Sequence, residues 1–213
     1  MTLLPRPSVP NQRRLTRGIQ LLLILLVVYG VVVGEPKAIT NGTISLLITF
    51  APAVMERNYQ LPLDPWLGLW ITLTVFLHTV GSAVLYARLG WWDHLTHAMS
   101  ASLIAGVGYT FARAIDIHSD RIYLPRQFYF AYVLVIVLSF GVIWELFEFG
   151  LDLAADATGI TMPLAQHGLD DTVRDLMFNS LGALAVAAFG QVHLSGIAEQ
   201  LLEELVPEYA EDR

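Results

Sequence analysis

Long apolar runs separated by short polar breaks organise the chain. Crossing ~30 Å of hydrocarbon takes about 20 mostly apolar helical residues, and on that measure six membrane-spanning helices are predicted. They run from about Gly18 to Gly34, Ile39 to Met55, Trp66 to Leu89, Leu95 to Ala112, Phe128 to Leu153 and Val173 to Ile197. Pro52 interrupts the second. Its Thr40, Asn41, Thr43, Ser45 and Thr49 make a polar face that suits helix packing better than lipid. A terminal helix from Gly196 to Leu205 is expected to leave the membrane. The predicted fold class is all-α, a polytopic membrane helical bundle. Its expected parts are a cytoplasmic N-terminal segment (1–17), a six-span domain (18–197) and an acidic cytoplasmic tail (198–213).

Composition supports this pattern. Of 213 residues, 55% are hydrophobic and 15% charged, with a mean hydropathy of +0.56, whereas soluble domains carry about 25% charged residues. A disordered chain, a nucleic-acid partner and an ordinary cytosolic enzyme are excluded. The absence of cysteine removes disulfides, thiolate metal sites and cysteine nucleophiles. The first apolar run lacks an Ala-x-Ala cleavage site, so it is expected to stay as a helix. Of the 12 basic residues, nine fall on one side of a six-span arrangement: Arg6, Arg13, Arg14, Arg17, Arg57, Arg113, Arg121, Arg126 and Arg213. The Lys and Arg excess marks the cytoplasmic side. Both termini are therefore expected inside an inner or plasma membrane, with the lipid bilayer as the first partner.

That orientation brings three polar clusters to the outer face. Trp91-Trp92-Asp93-His94-Leu95-Thr96-His97 opens span four, Glu145-Leu146-Phe147-Glu148 closes span five, and Asp170-Asp171-Thr172-Val173-Arg174-Asp175 opens span six. Asp93 and His97 share a face at a spacing of four. Glu145, Glu148 and Asp152 form a stripe, and Asp171, Asp175 and Asn179 repeat every four residues. Gly182 and Ala183 follow one turn later, where small residues let another helix approach closely. Facing lipid, Glu145 or Asp175 would each cost about 2.5–3.5 kcal/mol, so the three stripes are expected to face one another or a wet cavity. Carboxylates so placed repel unless protons, histidines, Arg174 or a cation neutralise them.

Simpler roles compete for several of these residues. Asp93 suits an N-cap of span four, and His94 an interfacial surface position. Asp170 and Asp171 suit the first turn of a helix, where the dipole favours acids. His78 suits a buried hydrogen bond to a neighbouring helix. Arg174 fits a salt bridge or an anion contact equally. Asn41-Gly42-Thr43 has the form of a glycosylation sequon at a membrane edge.

Carboxylates with a histidine suit a hard divalent cation or zinc. Asp93, His97, Glu145, Glu148, Asp171 and Asp175 are the candidate cation ligands, and Glu145, Glu148 and Asp175 the candidates for acid–base chemistry. A cation there would activate water or polarise a phosphoryl oxygen, on a lipid-linked or small polar substrate at the outer leaflet. The same acids also suit proton or small-cation transport, with a path inward through His78 and the Thr40 to Thr49 stripe. A non-catalytic assembly protein, its polar network only ordering the helices, is the third reading. Neither a Gly-x-Ser-x-Gly elbow nor a P-loop is present.

Trp92-Asp93 with His97, Glu145-Leu146-Phe147-Glu148, and Asp171-Thr172-Val173-Arg174-Asp175-Leu176 with Gly182-Ala183 resemble the YjdF-like family of multi-pass inner-membrane proteins of unknown function. The likeness covers about Trp66 to Val186, and it implies that Asp93, His97, Glu145, Glu148, Asp171 and Asp175 are that family's polar positions. The family tends to carry a further acid where this chain has His167-Gly168. A looser likeness to VanZ-like membrane proteins rests on the Asp175 and Asn179 stripe.

Overall fold

The structure, a computed structural model, describes residues 7–59, 63–119, 121–159 and 168–194. The expected terminal helix from Gly196 to Leu205, the acidic tail and His167 lie outside them. The described residues form helices joined by short connections and contain no strand. Five helical segments are long and apolar enough to cross a membrane: Val9–Val33, Pro36–Asn58, Pro65–Leu85, Gly90–Ile117 and Arg126–Thr158. The sixth, Leu169–His193, has the length at 25 residues but opens on Asp170 and Asp171. This is a polytopic membrane helical bundle.

The chain divides into two compact units at Leu85. In the first, α1 (Val9–Val33), α2 (Pro36–Ile48) and α4 (Pro65–Val80) pack against one another. The second predicted span is two helices, α2 and then α3 (Ala51–Tyr59). Pro52 explains the break. Its missing N–H and ring cannot continue α2, but both are tolerated in the first turn of a new helix. The polar face of α2 packs as expected, with one exception. Asn41 donates to Ser82 at 2.9 Å, Thr79 donates to Ser45 at 2.7 Å, and Gln20 donates to Thr49 at 3.1 Å. Thr43 instead lies exposed. Asn41, the first residue of the sequon, is buried in the fold. Between α1 and α2 the approach is close enough that a Cβ on Gly42 would stand 2.7 Å from Val27 Cγ2. Outward, α1 exposes Leu21, Leu22, Leu25, Val28 and Val32, a surface suited to acyl chains.

The second unit is α5 (Gly90–His118), α6 (Arg126–Thr158) and α7 (Leu169–His193). Its core is Ala101, Ala105, Tyr109, Ala112, Tyr129, Val133, Val137 and Ala183. Helices α5 and α7 run parallel in close contact, and Gly182 is the reason: a Cβ there would fall on the backbone carbonyl of Ala98. Gly141 does the same for α6, since its Cβ would meet Asn179 Nδ2 at 2.8 Å. At the far end Asp116 ties α5 to α6, accepting from Tyr129 Oη, Arg113 and the Leu124 N–H, each at 2.7 Å.

The helices overrun the apolar segments that announced them. α5 begins at Gly90 rather than near Leu95, and α6 continues to Thr158 rather than ending near Leu153. Hydrophobicity marks the stretch that suits lipid, whereas backbone hydrogen bonding carries each helix on through its polar flanks. The N-cap of α5 is Leu89, with no side-chain cap, and Asp93 lies within the first turn. Asp93 therefore does not cap the helix.

Candidate functional site

Three helix segments converge at one end of the second unit: the start of α5, the latter half of α6 and the start of α7. Small residues set their spacing. With Gly182 against Ala98 and Gly141 against Asn179 and Leu176, polar side chains one to two turns away meet across the bundle. Asp175 is 2% exposed and Glu145 4% exposed, so water reaches neither freely. Glu148 and Asn179 are buried beside them.

Asp175 is the hub. Its Oδ2 lies 3.7 Å from His97 Nε2, and its Oδ1 lies 3.8 Å from His94 Nδ1. His97 Nε2 is also 3.8 Å from Asp93 Oδ1, one turn back on the same helix. None of these is a hydrogen bond, which needs about 2.9 Å. Glu145 Oε2 accepts from the Thr172 hydroxyl at 2.9 Å, and this contact orients the carboxylate from α7. Glu145 Oε1, Asp175 Oδ1 and His94 Nδ1 are buried and have no hydrogen-bond partner. A buried unpaired polar group costs roughly 1–3 kcal/mol, more when charged, a cost that a bound ligand would relieve.

The donors group into two sets of three: Asp93, His94 and Asp175, and His97, Glu145 and Asp175. Within each set one atom per residue lies within 4.8 Å of the others. Four of the six sequence candidates, Asp93, His97, Glu145 and Asp175, are thus brought together. Glu148 is buried one turn from Glu145 and hydrogen-bonded to Trp144, outside both sets. Asp171 is half-buried in the first turn of α7, also outside them. Asp152 sits mid-helix, since α6 continues to Thr158.

His94 is the residue that sequence reasoning missed. An interfacial surface position was the expectation, yet its ring stacks on Phe178 of α7, with centroids 4.3 Å apart and planes 7° from parallel. A signal existed: His94, Ala98, Ala101 and Ala105 follow helical spacing, and the small members of that row mark the face that packs. Thr172 was overlooked because its role depends on a partner 27 residues away. The Thr96 hydroxyl donates to the Asp93 backbone carbonyl at 2.8 Å and lies 3.0 Å from Tyr86 Oη. Arg174 is exposed, and neither Glu145 nor Asp175 has an arginine or lysine partner among the described residues. His78 and the polar stripe of α2 belong to the first unit and Glu145 to the second.

Comparison with known proteins gives a family without a reaction. A family model described as "Predicted membrane protein (DUF2238)" matches residues 15–196. An uncharacterised protein of Thermotoga maritima is 27% identical over 179 residues, covering 83% of this chain and 88% of that one. No solved structure matches.

Proposed function

The chain belongs to the DUF2238 family of predicted membrane proteins, and we propose that it binds a divalent cation between α5, α6 and α7 and uses it on a lipid-linked or small polar substrate. The observation that carries this reading is the pair of buried carboxylates, Glu145 and Asp175, each with an oxygen that no protein group satisfies. Thr172 orients one of them, and His97 stands 3.7 Å from the other. The Thr172 hydrogen bond is an outer-shell contact of the kind that holds a ligand atom ready for a metal. Dipoles from the N-termini of α5 and α7 already favour negative charge at this end. They do not supply a discrete counter-charge for two buried carboxylates, and a dication does.

In this reading Asp93, His97, Glu145 and Asp175 would hold the ion, which would supply Lewis acidity for activating water or polarising an oxygen of the substrate. Glu148, buried one turn from Glu145 and outside the donor sets, would move protons, and Asp171, in the first turn of α7, would add negative charge beside the site. The arginine distribution supports an outward-facing site in an inner or plasma membrane, with both termini cytoplasmic. The segments 1–17 and 198–213 then flank a six-span domain on the cytoplasmic side.

Metal content tests the reading. Protein purified in detergent without chelator and passed over a desalting column is expected to retain divalent metal, or to regain it after chelator and reloading. Glu145→Gln is expected to lower affinity at least tenfold, and wild-type retention should fall with acidification, because protons compete for carboxylates and imidazole. Wild-type protein that neither holds nor regains metal would overturn the proposal.

A further inference from the structure

We infer that the site holds two divalent cations, not one, with the carboxylate of Asp175 bridging them. This deepens the cation reading above and rests on it. Five donor residues are present, yet they do not converge on one point. They form two sets of three with a single member in common, Asp175. The two oxygens of that residue face different histidines, Oδ1 toward His94 Nδ1 and Oδ2 toward His97 Nε2.

The separations are those of ligands around an ion. With metal–ligand bonds of about 2.1 Å, two donors on one tetrahedral ion stand about 3.4 Å apart, and donors on opposite sides about 4.2 Å. One pair in each set, at 3.7 and 3.8 Å, falls between these values and beyond hydrogen-bond reach, and Asp93 Oδ1 stands at the same 3.8 Å from His97 Nε2 across the two sets. One position is framed by Asp93, His94 and Asp175, the other by His97, Glu145 and Asp175. Each set includes residues with unsatisfied buried atoms: His94 Nδ1 and Asp175 Oδ1 belong to the first, and Glu145, whose Oε1 is unsatisfied, to the second. This second observation is independent of the clustering. A group of acids alone would leave no reason for a buried imidazole nitrogen to be without a partner.

The donor chemistry narrows the ions. Each position offers one imidazole nitrogen and two carboxylates, a set that suits zinc, manganese or iron(II) better than calcium or magnesium, which prefer oxygen alone. Pairs of such ions bridged by a carboxylate clamp one ligand from two sides. His94 is locked for this role by its stacking on Phe178.

Stoichiometry and spin coupling test the pair. Full-length protein in nanodiscs is stripped with chelator, reloaded with Mn²⁺, desalted and analysed for metal per chain. Two ions per chain are expected, with an exchange-coupled Mn²⁺ spectrum in place of six isolated lines. His94→Gln is expected to leave one ion and restore the six-line signal, whereas Asp175→Asn should lose both. His94 is part-exposed and its replacement keeps a polar side chain, so this variant is read only where its gel-filtration profile and thermal unfolding match wild type. One ion in wild type, unchanged by His94→Gln and removed by His97→Gln, would overturn the pair and leave the single-cation reading standing. No ion in wild type would overturn both.

Discussion

Thr172 shows how much one hydroxyl can do inside a membrane bundle. It donates to Glu145 Oε2 and leaves Oε1 unpartnered, so replacing it by valine keeps the shape and removes only the orienting bond. Interhelical hydrogen bonds of this type average about 0.6 kcal/mol, with a maximum of about 1.7, so unfolding in detergent should change little. Metal affinity is expected to fall roughly 10–100-fold, the usual consequence of losing an outer-shell partner. Titration with a metal-sensitive dye and a thermal melt on the same Thr172→Val sample would separate the two effects. An equal loss in both would make the residue structural. At this scale the sequence revealed acids more readily than their partners. Glu145 and Asp175 stood out as carboxylates inside helices, whereas Thr172 and His94 acquire their roles only from contacts across α6 and α7.

Helix positions were legible to the extent that hydrophobicity sets them. The apolar runs located the helices, but α5 and α6 extend beyond them at the site end. That extension matters, because Asp93 and His94 are presented from helical backbone rather than from a loop. Pro52 announced a break, and the break falls at Thr49–Phe50, just before the proline enters the first turn of α3. Gly182 was read correctly as a place of close approach, and the structure identifies its partner as the Ala98 carbonyl. Gly182→Leu would force α5 and α7 apart. Overpacking of this kind costs roughly 1–3 kcal/mol, and it also separates His94 and His97 from Asp175. The expected outcome is a lower unfolding temperature together with lost metal binding. Gly18→Leu, at a position with nothing within 4 Å of an added Cβ, should leave both intact.

Across the whole molecule, the all-helical membrane architecture followed from composition and spacing, and the family match over residues 15–196 agrees with it. The division at Leu85 was not legible, since apolar runs carry no record of which helices pack together. The second unit gathers every residue of the candidate site, while the first unit holds the hydroxyl and amide contacts of α1, α2 and α4. Everything proposed about chemistry depends on metal atoms sitting among the side chains of α5, α6 and α7. The most direct measurement is X-ray absorption at the metal edge on zinc-loaded protein in nanodiscs. The expected spectrum shows a first shell of nitrogen and oxygen near 2.0–2.2 Å, with the outer-shell scattering of imidazole, weakened in His97→Gln. A shell of oxygen alone, or one unchanged by that substitution, would contradict the site.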